Sequence, residues 1–325
     1  MYDVILDAGK IRGIDNLTDP LAIPPGGEAG TYLVVGVNVD IDDEYRLLRR
    51  PGYVRKLVGN FHSAWSNGDM CYVIKIMSNG GVLYRVDDDY SLIPIVISID
   101  PDARMQYVYQ NGRTYCTNNQ VIGYIEDDVF TVLPGPDDYY QRTMPAGHLI
   151  EFHCGRMIVA RDDMLYISEA YMPHYYDVRW GWRKMKAKVT MVKSVEAGVF
   201  LGTTDGAFFA SGKDFLSSEL MKITDSAPLL GSAVTIPGDE VMGKGIGGTI
   251  YWTSDEGVWR GALDGAAQNI TWNHYAPDEA TIGSAVAHSV SGFFQYCLIH
   301  EIPLEVGDAK VKINMTVPHI ESIGA

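Results

Sequence analysis

GRMIVARDDMLYIS, residues 155–168, reads as two short strands around a polar turn. Gly155 opens an apolar run, Asp162-Asp163 interrupts it, and MLYIS resumes it. Asn, Asp and Gly accept positive φ cheaply, so such a turn between apolar runs predicts a β-hairpin. The opening half recurs as GDMCYVIKIM from Gly68, GRTYCTN from Gly112, GVFLGT from Gly198, GTIYWT from Gly248 and GFFQYCLI from Gly292. The six openings are separated by 44, 43, 43, 50 and 44 residues. The closing half recurs as VLYRV after Asn79-Gly80-Gly81, VIGYI after Asn118-Asn119, AFFAS after Asp205-Gly206 and VWRGA after Glu256-Gly257. Only the sixth closing half, within EIPLEVGDAKVKINMTV, is irregular.

A period near 44 residues carrying two to four short strands is the mark of a β-propeller, in which neighbouring sheets cover each other's faces. A sandwich does not require equal spacing, and a β-helix rung is much shorter. The expectation is an all-β, six-bladed β-propeller with an extended N-terminal segment that helps close the ring. Residues 1–55 read as an N-terminal arm and closing strand, 56–317 as the propeller and 318–325 as a C-terminal tail. Part of residues 30–56 is expected to complete a sheet beside residues 293–317. The best helical stretch, KDFLSSELMK (213–222), is short. MGKGIGG (242–248) falls in the one interval stretched to 50 residues and reads as an inserted loop.

Composition agrees with strands. The 325 residues include 20 Tyr and 34 Gly, which suit half-buried strands and tight turns. The net charge of −15 opposes DNA or RNA binding through counterion release, and also an anionic membrane. No basic-then-apolar leader opens the chain and no apolar stretch reaches membrane-spanning length, so neither secretion nor a membrane span is expected. Cys71, Cys116, Cys154 and Cys297 lack metal-site spacing and read as small buried apolar residues, the first three at similar depths on different blades.

The patterns of nucleotide-binding loops, serine-hydrolase elbows and zinc-protease helices do not occur, and no cofactor or metal is expected. The acidic runs Asp42-Asp43-Glu44, Asp87-Asp88-Asp89, Glu126-Asp127-Asp128, Asp137-Asp138 and Asp162-Asp163 sit beside strands and read as turn residues. His148 and His153 are five apart, on opposite faces of a strand, which suits packing better than a shared metal. Ser254-Asp255-Glu256-Gly257-Val258-Trp259 has a faint likeness to the sialidase Asp-box, with the Asp displaced and the Thr missing. A carbohydrate-active propeller, hydrolase or lectin, is the alternative from another class.

Two segments read as interaction surfaces. Tyr45–Tyr53 concentrates Arg46, Arg49 and Arg50 beside Tyr53 in an otherwise acidic chain. Tyr171–Arg183 gathers Tyr171, His174, Tyr175, Tyr176, Trp180 and Trp182, more aromatic residues than a free loop needs, and reads either as an anchor against a neighbouring subunit or as a plug of the propeller face. Arg with Tyr and Trp is the composition of interface hot spots.

Gly13-Ile14-Asp15-Asn16, then Asn38-Val39-Asp40-Ile41 with Arg49-Arg50-Pro51-Gly52-Tyr53, resembles the opening of virion structural proteins of tailed bacteriophages. The stretch 144–177, with GRMIVA before LYISEA and PHYYD, looks like that family's central element, with Ala170 where a proline is common. Gly202-Thr203-Thr204-Asp205-Gly206 matches a hairpin element of the same group. The resemblance implies a non-enzymatic propeller of the tail nozzle or tail hub type, in the virion tail after assembly in the host cytoplasm. It implies as partners further copies in a homo-oligomeric ring and neighbouring tail proteins such as an adaptor, fibre or needle. Genomic DNA would pass through without specific binding, which acidic walls would favour.

Overall fold

The computed structural model describes residues 10–19, 21–23, 30–34, 36, 39–41, 46–49, 54–136, 138–237, 248–277, 280, 282–290 and 293–301. They fall into two compact units, one of residues 54–222 and one joining 1–53 to 223–325. All regular structure among them is β.

At the N-terminus, β1 (Ile11–Ile14) pairs in parallel with β2 (Thr31–Leu33), and β3 (Val39–Ile41) pairs antiparallel with β4 (Leu47–Arg49). The first four-stranded sheet is β5 (Phe61–Ser66), β6 (Cys71–Met77), β7 (Gly80–Val86) and β8 (Leu92–Ile99). The second is β9 (Gln106–Gln110), β10 (Arg113–Thr117), β11 (Ile122–Glu126) and β12 (Val129–Val132). A short β13 (Gln141–Thr143) precedes the third sheet, made of β14 (Leu149–His153), β15 (Arg156–Arg161) and β16 (Met164–Ile167). The chain then forms β17 (Tyr175–Asp177), which pairs with β13, and returns to the third sheet as β18 (Trp182–Lys184). The fourth sheet is β19 (Val189–Val195), β20 (Gly198–Thr203), β21 (Gly206–Ser211) and β22 (Leu220–Thr224), in which the chain passes from one unit to the other. The fifth is β23 (Val234–Pro237), β24 (Gly248–Ser254), β25 (Gly257–Gly261) and β26 (Ala267–Asn269), and a hairpin of β27 (Ile282–Val290) and β28 (Phe293–Glu301) follows.

Each of the first five hairpins read from the sequence is the middle pair of a four-stranded sheet. Gly80, Gly206 and Gly257 stand at equivalent turns with φ of 131°, 127° and 125°, a region L side chains avoid. In the last hairpin, Phe293–Glu301 pairs with the strand before it, the place that β6, β10, β15, β20 and β24 hold in their sheets. Its expected following strand, and residues 238–247 of the stretched interval, lie outside the described residues.

Alternation on the central strands buries both faces of a sheet. Cys116 of β10 joins Tyr72, Ile74 and Leu83 of the first sheet, while its neighbour Tyr115 joins Ile150, Met157 and Val159 of the third. Likewise Ile236, Tyr251 and Val258 of the fifth sheet meet Tyr296 and Leu298 of β28. Each such side chain taken from water contributes about 1.5–3 kcal/mol, so face-to-face stacking holds the sheets in sequence. Strand β14 lies between β9 and β19, the first strands of the flanking sheets, whereas the last strands β12 and β18 are largely exposed.

Polar stitches join successive sheets. The Met105 N–H donates to Ser63 Oγ at 2.8 Å. His148 Nε2 lies 2.7 Å from Val189 O, and buried His153 reaches Ser194 Oγ at 2.9 Å and Gly212 O at 3.0 Å. Tyr296 Oη donates to Ser232 O at 2.7 Å. Thr117 Oγ1 accepts from the Gly147 N–H at 2.9 Å and lies 3.0 Å from Gly147 O, fully buried between the second and third sheets. Thr117→Val keeps the shape and leaves that N–H without its acceptor. A loss of about 1–3 kcal/mol is expected, largely restored by Thr117→Ser, as read from urea unfolding midpoints.

Several expectations change. Among the described residues, β2 pairs with β1, β3 with β4 and β28 with β27, so none of 30–56 pairs with 293–301. Residues 302–317 of the expected partner lie outside the described residues, and the arm is held by the loop after β26. The short stretch Lys213–Lys222 forms a turn leading into β22, in keeping with its weak helical pattern. Of the cysteines only Cys116 is fully buried, and burial pushes its thiol up to about 12. Cys71 and Cys297 are half-buried, and Cys154 is exposed in the β14–β15 turn with φ 46°, so their depths differ. His148 and His153 both reach residues of the fourth sheet, because His148 precedes β14 and escapes its pleat.

Candidate functional site

The aromatic segment 171–182 is built around the bend that carries the chain from β16 out to β17 and back to β18. The Glu169 N–H donates to Tyr175 O at 2.8 Å and the Met172 N–H to Glu169 O at 3.2 Å, closing the bend. Tyr171, at φ 59°, donates its N–H to Gly155 O and lays its ring over Gly155, where a Cβ would come within 2.9 Å of Cε1. The other side of that ring faces solvent, leaving Tyr171 86% exposed.

His174 stacks on Tyr124 with ring centroids 5.7 Å apart and planes 1° from parallel. Arg113, paired with Glu126 at 3.0 Å, places its guanidinium 4.6 Å from the Tyr124 centroid. Burial, then the charge of Arg113, hold the imidazole below its usual range, so it is a neutral packing group at pH 7. On β17 the pleat sends neighbours apart. Tyr175 Oη reaches Gly135 O at 3.4 Å, while Tyr176 meets Tyr166 edge-on at 5.3 Å and burial raises its phenol.

Arg179 is the best-held cation of the segment. Asp177, buried beneath it, accepts from Arg179 N at 2.8 Å, Nε at 2.9 Å and Nη2 at 2.6 Å. The Arg179 side chain, and then its backbone N–H, hold the Asp177 carboxyl below the usual range despite burial. The guanidinium lies 4.1 Å from the Tyr140 centroid and 4.0 Å from that of Trp180. Tyr139 meets Tyr140 edge-on at 5.2 Å, and Trp182 Nε1 donates to Val178 O at 3.0 Å. Trp180 and Trp182 remain about half exposed and Tyr139 is 81% exposed. Beside them Met164, Tyr166, Tyr176, Val178 and Trp182 line a shallow depression of about 230 Å³. The result is an exposed aromatic platform in which Asp177 and Arg179 bind each other and the Trp182 N–H binds the backbone.

Of the residues expected here, Tyr171, Trp180 and Trp182 are exposed, whereas His174, Tyr175 and Tyr176 are partly packed. Sequence reading missed Tyr139, Tyr140 and Arg179. The pair Tyr139-Tyr140 beside the Asp137-Asp138 turn was the available signal, but its approach to Arg179 spans about forty residues. The basic segment lies in the other unit. Arg46 and Arg49 are exposed at β4, with Leu47 and Leu48 each nearly half exposed between them, and Arg50 and Tyr53 lie outside the described residues.

Gly13-Ile14-Asp15-Asn16 acts as a clasp within its unit. Asn16 exchanges side-chain hydrogen bonds with Ala276 N and O, and its N–H donates to His274 O at 2.8 Å. Buried Asp15 accepts from Thr18 N at 2.9 Å, Thr18 Oγ1 at 2.9 Å and His274 Nδ1 at 3.0 Å, while Tyr32 stacks on His274 at 4.5 Å. Burial alone would raise the Asp15 carboxyl, but the Thr18 N–H, His274 and the Thr18 hydroxyl together outweigh it and hold it at about 2. An unfolded Asp titrates near ~3.9, so the clasp contributes fully above that pH and loses its contribution as pH falls towards 2. Between about pH 5 and pH 2, Asp15→Asn is expected to lose less stability than the natural chain in urea titrations. Equal losses would contradict this.

Of the carboxylates read as turn residues, Asp42, Asp43, Glu44 and Asp137 lie outside the described residues, and others cap turns or pair with arginine. Asp89 accepts from the Ser91 N–H at 2.8 Å, Asp138 from that of Tyr140 at 2.7 Å, and Asp87 and Asp128 pair with Arg85 at 3.1 and 2.8 Å. In the Asp-box-like turn, Trp259 Nε1 and the Glu256 N–H both donate to Ser254 Oγ, and Asp255 accepts from Ser226 Oγ. These carboxyls hold backbone and partner side chains in place. No helix among the described residues is long and apolar enough to cross a membrane.

No family model matches the chain, and no curated protein matches it significantly. Among solved structures, it is similar to the extracellular domain of a hybrid two-component system from B. thetaiotaomicron. That match has 12% identity and a TM-score of 0.47, and covers 79% of this chain and 33% of the other. It is also similar to BBS1N, solved in complex with ARL6DN, at 12% identity over 71% and 72% of the two chains with a TM-score of 0.47. A third likeness is to Hsv2 of Kluyveromyces lactis, at 10% identity over 70% and 74% with a TM-score of 0.40. The chain thus spans about a third of the length of the first of these structures.

Proposed function

We propose that this chain is a non-enzymatic structural protein of a bacteriophage tail, a six-bladed β-propeller that assembles into a ring around the DNA exit path as a nozzle or distal hub. The observation that supports the propeller is the recurrence of five four-stranded antiparallel sheets among the described residues, with buried clusters between the first and second, the second and third, and the fifth and β28. The hairpin of β27 and β28 would supply the first two strands of a sixth sheet. Within residues 54–222, β14 lying beside β9 and β19 supports the same reading. The assignment to a tail rests on the ordered motifs that resemble virion proteins. The Gly13–Asn16 element among them ties down the N-terminal arm, and the net charge of −15 suits a passage that must not retain DNA.

Gold-labelled antibody on purified virions tests this reading. Label at the distal tail is expected, and label confined to the capsid shell would remove it. Depolymerisation of a host polysaccharide by the isolated chain, abolished by one Asp or Glu substitution, would replace it with the carbohydrate-active alternative.

A further inference from the structure

We propose that Asn111-Gly112, the turn between β9 and β10, is a self-modification site at which the folded chain deamidates ahead of its other Asn-Gly pairs, Asn67-Gly68 and Asn79-Gly80. The inference is independent of the tail reading.

In an Asn-Gly pair the glycine backbone nitrogen attacks Cγ of the Asn side chain. A new C–N bond forms, the bond to the side-chain nitrogen breaks, and ammonia leaves with the proton of the attacking amide. Solvent water then opens the cyclic imide at either carbonyl. One opening gives Asp, and the other gives isoaspartate, with the main chain rerouted through Cγ. No oxidant or metal is consumed. Glycine favours the attack because no Cβ shields its nitrogen. The reaction further needs solvent access, an attacking nitrogen that is not already bonded, and an Asn side chain free to swing.

All three asparagines are exposed, so the other two conditions separate them. At Asn67 both are blocked. Its Oδ1 accepts from the Asp69 N–H at 3.1 Å and the Met70 N–H at 2.8 Å, and the Gly68 N–H donates to Ser66 Oγ at 3.1 Å. At Asn79 the nitrogen belongs to Gly80, which is already the first residue of β7 and pairs with Met77. Swinging it onto the side chain would open the end of that ladder, and a Cβ there would lie 3.3 Å from Ile99 O, so the space is tight. Asn111 and Gly112 differ from both. Gln110 pairs with Arg113, which leaves them as the loop itself, outside the ladder, at φ 51° and 83°. A Cβ on Gly112 would meet nothing within 4 Å, and Asn111 Oδ1 is held only by the exposed Gln110 side chain at 3.3 Å.

The two products act differently on the hairpin. Asp also accepts a left-handed φ and keeps the turn, adding one negative charge. Isoaspartate lengthens the main chain inside a tight turn and disturbs the pairing of Gln110 with Arg113. Both are irreversible under these conditions, so the converted fraction records how long the folded chain has stood in water.

The test incubates the full chain, folded, at mildly alkaline pH and follows each Asn-Gly peptide by mass, with Asn111→Asp as the standard for one product. Hydrogen bonds must break first at Asn67 and a ladder pair at Asn79, so Asn111 should convert roughly 10-fold or more faster than either. Its rate should rise with pH, because the attacking nitrogen must give up its proton. In guanidinium chloride, where all three turns are unfolded, the three rates should draw together. Folded-state conversion at Asn67 or Asn79 as fast as at Asn111 would overturn the assignment. So would an Asn111 that converts only in denaturant. The same ranking kept in denaturant would trace the preference to flanking residues and overturn the structural argument.

Discussion

Phe200→Ala is expected to destabilise the 54–222 unit by about 3–5 kcal/mol, the largest single loss among the substitutions considered. Phe200 is fully buried at the centre of β20, a strand buried along its whole length. It stands opposite Phe209 of β21, with ring centroids 4.8 Å apart. Removing the ring forfeits its transfer from water and leaves a cavity beside Phe209 that cannot close without moving the paired backbones. Domain stabilities run to about 5–15 kcal/mol, so this one change consumes a large share. The neighbouring Phe208 projects to the opposite face and is only half-buried, so Phe208→Ala should cost clearly less. Urea unfolding followed by tryptophan fluorescence gives both values. Losses that are equal, or below about 1 kcal/mol for Phe200, would mean that β20 is not an interior strand.

Gly198→Ala should be the second most damaging change, at about 1–3 kcal/mol or more. A Cβ on Gly198 would sit 2.1 Å from the carbonyl oxygen of Ala210 and 2.8 Å from Phe209 Cζ. The first of these is backbone, within the pairing of β20 with β21, and cannot retreat without loosening that hairpin. Gly135→Ala is the matched control, because its Cβ would meet open space. That change should fall within about 0.5 kcal/mol of the natural chain. Equal midpoint shifts for the two would remove the steric explanation.

Gly198 also shows where sequence reading reaches its limit. The glycines that open the repeats were legible as turn markers, and at Gly68, Gly112 and Gly155 the φ values of 97°, 83° and 77° agree with that reason. Gly198 and Gly248 stand at the same place in the repeat without a left-handed φ, and what demands glycine there is a carbonyl or side chain on the facing strand. The sequence reveals that a glycine recurs, and only the packing separates a conformational need from a steric one.

The hairpins, their order and the all-β character could be read from residues alone, because alternation and turn chemistry act over a few neighbours. Tyr115 and Cys116 facing opposite sheets follows from that same alternation. The aromatic segment 171–182 was legible as an unusual surface, yet its organising cation, Arg179, was not, since its partner Tyr140 approaches from outside the segment. The clasp that holds the N-terminal arm to a loop some 259 residues away, through Asp15 and His274, was not legible either. Short-range backbone preferences thus determined the strands and turns of this protein. Which distant side chains meet was decided only when burial brought unlike segments together, since a hydrogen bond or stacked ring across such a span leaves no periodic trace in the chain.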